Sequence, residues 1–81
     1  MEVEWDKEKA NENFKKHGVS FEEAALAFFD ENAVELFDEL NSEAEIRYQL
    51  VGISITRLIF VAYTERNEKI RIISARKASA K

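Results

Sequence analysis

The chain has no cysteine and no proline, and only two glycines and one histidine. Without cysteine there is no disulfide to reinforce a small core, no thiol nucleophile and no thiolate zinc site, and a single imidazole rules out a histidine-rich metal centre. Pro-rich and Gly/Ser-rich linkers, internal repeats and low-complexity segments are all missing, so compactness from end to end is expected. No apolar run approaches the roughly 18 residues of a membrane span. The opening Met1-Glu2-Val3-Glu4-Trp5-Asp6 lacks the basic and apolar stretches of a secretion signal. A cytoplasmic protein with no metal and no cofactor is therefore expected. Gly-rich phosphate loops, nucleophile elbows and metalloprotease helices do not occur, and Asp38, Glu39, Glu43 and Glu45 do not follow a calcium-loop pattern.

What is present suits one small core. Hydrophobic residues make up 46% of the 81 positions, and six Phe, two Tyr and one Trp supply more apolar matter than a disordered chain carries. Residues 1–81 read as a single domain whose thin stability margin a partner or a second copy would widen. The net charge of −4 conceals a division: residues 1–50 hold 14 acidic and 5 basic side chains, residues 51–81 hold 2 and 7. A basic C-terminal third can offer phosphates a local surface despite the acidic total, unless the fold interleaves the two halves and cancels the asymmetry.

After a short extended start at Val3–Trp5, Asp6 is placed to cap a helix over about Lys7–Lys16, with Ala10 and Phe14 on its apolar face. His17-Gly18 ends it, Gly18 suiting the left-handed position and Lys15, Lys16 and His17 the negative end of the dipole. Ser20 and Glu23 form a capping box for a second helix running to about Phe29, with Val19 and Ala24 as a hydrophobic staple and Phe21, Ala24, Ala25 and Phe28 as its core stripe. Four runs then read as strands: Ala33–Phe37, Glu45–Val51, Arg57–Tyr63 and Lys69–Ala75, the last hairpin closing at Asn67-Glu68. Links too short for helical crossovers predict an antiparallel meander. The expected class is α+β, two N-terminal helices packed on a four-stranded antiparallel sheet.

The cluster richest in chemistry is the last hairpin, where Glu65, Arg66, Lys69, Arg71 and Arg76 fall close together. Cutting RNA without metal needs a base for the 2′-hydroxyl proton, an acid for the leaving 5′-oxygen and cations for the charge that grows on the phosphoryl oxygens. Arginine suits the last task because its planar fork pairs bidentately with phosphate. Histidine is the side chain that titrates nearest neutrality, which makes His17 the first acid–base candidate. Catalytic candidates are thus His17, Glu65, Arg66, Arg71 and Arg76, and candidate RNA contacts are Lys15, Lys16, Arg47 and Lys69. The same residues also fit a plainer account: a helix-capping histidine, solvated hairpin charges and ion-pair partners. Trp5 suits core packing better than base stacking.

Several blocks together resemble the BrnT toxin family: Trp5-Asp6, Lys9-Ala10, Asn13, Lys16 through Ala24, Ser42-Glu43, Glu45, Arg47, Thr64-Glu65-Arg66 and Ile70 through Arg76. The resemblance covers about Val3 to Ala78. It implies a fold similar to RelE-like toxins and an endoribonuclease that arrests growth by degrading RNA. It also implies neutralisation by a BrnA-type antitoxin with a DNA-binding domain, two toxins and two antitoxins forming a tetramer that represses its own operon and touches DNA through the antitoxin. Its functional set falls on Lys16, His17, Glu65, Arg66, Arg71 and Arg76. Family members usually continue past the position of Arg76 into a basic helix, whereas this sequence stops at Lys81, so that helix is expected to be absent or truncated. Asn67-Glu68 also stands where a glycine is commoner. These departures motivate an alternative, a non-catalytic or truncated module that binds an antitoxin and modulates repression.

Overall fold

Asp6 stands in extended backbone and accepts a hydrogen bond from the Lys9 amide at 3.0 Å, so the first helix, α1 (Lys7–His17), starts on a satisfied cap. It stops at Gly18, whose φ of 72° lets its N–H reach the Phe14 carbonyl. The second helix, α2 (Phe21–Leu26), is capped by Ser20, which accepts from the Glu23 amide at 3.0 Å; a 3-10 turn over Ala27–Phe29 then replaces the last part of the expected helix. These features come from a computed structural model that describes residues 1–39 and 43–78. Positions 79–81, where the C-terminal helix expected to be absent or truncated would begin, lie outside the described residues.

The sheet corrects the expected architecture. It has five strands rather than four and is mixed rather than antiparallel: β1 (Val3–Trp5), β2 (Val34–Phe37), β3 (Arg47–Ile53), β4 (Leu58–Arg66) and β5 (Lys69–Lys77), in the order β1-β5-β4-β3-β2. β2 to β5 form the expected meander, but the short start pairs parallel with β5, Val3 opposite Ile70 and Trp5 opposite Ile72. Three residues carry too little alternation to announce a strand. The intervening helices and strands supply the long connection that parallel pairing needs.

Both helices lie on one face of the sheet. There Val19, Phe21, Ala24 and Ala27 meet Leu50, Ile59, Val61, Tyr63, Ile72 and Ala75 in the buried core. Tyr63 stacks on Tyr48 and meets Phe28 edge-on, with ring centroids 5.5 and 5.0 Å away, and Trp5 meets Phe21 edge-on at 6.0 Å. Gly52 has to be small, because a Cβ there would sit 2.9 Å from the Ala27 carbonyl oxygen of the overlying 3-10 turn. Alternation sends the intervening residues, Arg47, Gln49, Val51, Phe60, Ala62 and Thr64 among them, to the opposite face, which no helix among the described residues covers.

Candidate functional site

The open face gathers cations from three strands. Arg47 on β3 lies opposite Thr64 on β4, which lies opposite Arg71 on β5; Arg66 and Lys69 pair across the end of the last hairpin, and Arg76 pairs with Phe60. The Arg76 guanidinium sits 4.7 Å from the centroid of the Phe60 ring, a cation–π contact that holds it over the sheet. Thr64, 3% exposed, donates its hydroxyl to the Ile46 carbonyl at 2.6 Å and so pins the segment carrying Glu45 and Arg47 against β4.

Carboxylates stand among these cations. Arg66 Nη2 donates to Glu45 Oε1 at 2.9 Å, Arg71 Nη1 lies 3.4 Å from Glu4 Oε2, and Lys69 Nζ lies 3.6 Å from Glu2 Oε1. The hydrogen bond from Arg66, with the charges of Arg66, Arg47 and Arg71 around it, holds the Glu45 carboxyl below the usual glutamate value. Glu45 is therefore ionised at neutral pH.

Not every expected site residue joins this face. Glu65 pairs with Ile70, a residue packed against the core, so alternation puts Glu65 on the helix side, opposite Arg66 and Arg71. The end of α1 is divided as well. Lys16 and His17 line a shallow cleft of about 250 Å³ with Asn13, Ile73 and Ser74 along the β5 edge, whereas Lys15 lines a larger one of about 540 Å³ with Trp5, Phe14 and Phe21. His17 thus stands beside β5, on the helix side of the strand that carries Arg71 and Arg76. Among the described residues no group of three His, Asp or Glu side chains could hold a metal ion.

Arginines on an uncovered sheet face fit a polyanion that lies across the strands. Residues 5–81 match the family described as the ribonuclease toxin BrnT of type II toxin-antitoxin systems. The chain belongs to the BrnT toxin family. Comparison with curated proteins gives no match. As a ribonuclease toxin of a type II system, a BrnT protein has RNA as its substrate and an antitoxin as its partner. No helix among the described residues is long and apolar enough to cross a membrane.

Sequence reasoning missed three residues of this candidate site. Glu4 escaped because β1 was not read as a strand. Glu45 stands in a run that reads as a strand, but β3 starts two residues later at Arg47, and the tie of Glu45 to Arg66 is made across 21 positions of the chain. Phe60 escaped because its register against Arg76 depends on a slip in the β4–β5 pairing.

Proposed function

We propose that this BrnT toxin is an endoribonuclease that cuts RNA without a metal ion, using the open sheet face as its active surface. The observation that carries the reading is the gathering of Arg47, Arg66, Arg71 and Arg76 from three strands on the face that the helices leave bare. In such a reaction the 2′-oxygen gives its proton to a base and attacks the adjacent phosphorus, the bond to the 5′-oxygen breaks as that oxygen takes a proton from water, and a 2′,3′-cyclic phosphate and a 5′-hydroxyl result. Arg71 and Arg76 hold the phosphoryl oxygens as their charge grows, and Arg47, Arg66 and Lys69 take flanking phosphates. Glu45, ionised and hydrogen-bonded to Arg66, is the carboxylate assigned here to accept the 2′-hydroxyl proton; the bond that fixes its place also weakens it as a base. His17 and Lys16 meet the RNA where the strand passes over the β5 edge.

The same reading takes residues 1–81 as one toxin domain acting in the cytoplasm and neutralised by a BrnA-like antitoxin in a two-plus-two assembly. Beside the arginines the open face carries Val34, Leu36, Ile53 and Leu58, each about half exposed. RNA phosphates have no use for that apolar area, whereas a protein partner would bury it. A second reading, binding without cleavage, draws on the pairing of Arg66, Arg71 and Lys69 with carboxylates and on the placement of Glu65 on the far face.

The deciding experiment incubates the purified chain with a defined RNA in EDTA, beside an Arg71→Ala control. Fragments ending in cyclic phosphate, reduced at least about 100-fold by the substitution, are expected for a lost transition-state contact. Intact RNA, with antitoxin binding retained, would transfer the assignment to the binding module.

A further inference from the structure

Arg71 and Arg76 are five positions apart on β5, and in a regular strand an odd spacing sends two side chains to opposite faces. They share a face because the pairing slips: Ala62 lies opposite Ser74, but the next residue, Tyr63, lies opposite Ile72, leaving Ile73 as an extra residue. This bulge reverses the alternation, so that Ile72 and Ala75 both reach the core and Arg76 comes round to the side of Arg71. It falls where β5 loses its other neighbour, since β1 ends at Trp5, opposite Ile72.

Asn13 takes over that edge. Its Oδ1 accepts from the Ala75 amide at 3.1 Å, and its Nδ2 donates to the Ala75 carbonyl at 2.8 Å and to the Val19 carbonyl at 3.0 Å. The carboxamide does for Ala75 what an adjacent strand would do, and it ties that residue to α1 and to the segment before α2. At 7% exposure Asn13 lies at the floor of the cleft beside His17, its carboxamide engaged with backbone groups. The residue after Ala75 is Arg76, seated on Phe60.

We infer that Asn13 is a positioning residue for Arg76: its clamp on Ala75 fixes the bulged part of β5, and Phe60 receives the guanidinium that the bulge turns to the open face. The inference rests on the ribonuclease reading of that face. An aspartate at position 13 would keep the acceptor but lose both donors, and an alanine would keep neither.

The test is a two-by-two comparison of single-turnover cleavage of a defined RNA in EDTA by the full chain, with Asn13→Ala and Arg76→Ala alone and combined. Asn13→Ala is expected to slow cleavage about 10-fold, the scale of a modest misplacement of a catalytic group. The double variant is expected to be no slower than Arg76→Ala, because Asn13 acts through a guanidinium already removed. The thermal midpoint of the double variant should instead lie below that of Arg76→Ala, because the hydrogen bonds of Asn13 are still lost there, which separates positioning from stability. The same slowing in both backgrounds, or wild-type cleavage by folded Asn13→Ala, overturns the inference. Should Asn13→Ala not fold, Phe60→Leu in the same two backgrounds decides, with the same expectation. Cleavage at the wild-type rate by Arg76→Ala would sink the reading of the face itself, whereas an Arg76-dependent activity on which Asn13 acts independently sinks only the positioning role.

Discussion

Arg57 donates from Nε to Glu23 Oε2 and from Nη2 to Glu23 Oε1, both at 2.8 Å, and again from Nη2 to the Gly18 carbonyl at 2.9 Å. Ser54 adds its hydroxyl to Glu23 Oε2 at 2.6 Å. One carboxylate thereby fastens the start of α2 to the β3–β4 hairpin, while Ser20 caps the same helix through the Glu23 amide; the carboxylate half of the expected capping box is spent on Arg57. The Arg57 hydrogen bonds, with the one from Ser54, hold Glu23 below its ordinary value of 4.5 against the opposing effect of burial. A depressed folded value means that the stabilisation is complete above about pH 4.5 and is lost as pH falls through the folded value. Glu23→Gln should therefore lower the thermal midpoint by several degrees at pH 7 and by less at pH 3, since the stabilisation declines as pH falls from 4.5 through the folded value. Melting curves at the two pH values check this, and an equal gap at both would assign the effect to shape instead of charge.

At the scale of elements, the β4–β5 turn carries a conformational cost. Asn67 and Glu68 have φ of 54° and 64°, the left-handed pair that a two-residue hairpin of right-handed twist requires. Asparagine tolerates that region, but glutamate does so at a cost of roughly 1 kcal/mol. Glu68→Gly is expected to stabilise the fold by about that amount in urea titrations, with an unchanged slope. This hairpin was legible because its strands have long alternating runs, as both helix starts were legible from Asp6 and Ser20. What escaped the sequence were features made by distant partners. β1 is defined by β5, across more than sixty intervening residues, and α1 buries Asn13 while Phe14 stays 57% exposed because the β5 edge offers hydrogen-bonding groups there. The candidate site divides in the same way. Arg66, Arg71 and Lys69 can be gathered from the turn outward, but Arg76 belongs with them only through the bulge at Ile73, and closeness in sequence to Arg66 does not bring Glu65 to their face, because β4 alternates.

Across the whole molecule the charge division of the sequence survives folding. Residues 1–50 carry a net −9 and residues 51–81 a net +5, and the basic part supplies the central strands β4 and β5. The acidic part does not cancel the open face evenly. It sets Glu2, Glu4 and Glu45 against Lys69, Arg71 and Arg66, while Arg76 rests on an aromatic ring. On the function proposed for this face, RNA binding is an exchange in which phosphates displace carboxylates and release their own counterions. Four or five contacts to a single strand predict that the logarithm of the binding constant falls with the logarithm of salt concentration with a slope of about −3, and that Arg71→Ala makes the slope shallower by about 0.7. Glu4→Gln removes the competitor of Arg71 without removing a cation, so it should tighten binding several-fold at low salt while leaving the slope nearly unchanged. Fluorescence anisotropy with a labelled single strand in EDTA, using the Arg71→Ala background if wild-type cleavage is too fast, measures all of these. A slope near zero would mean that RNA is not held by this face, and weaker binding by Glu4→Gln would mean that the carboxylate orders Arg71 for the phosphate instead of competing with it.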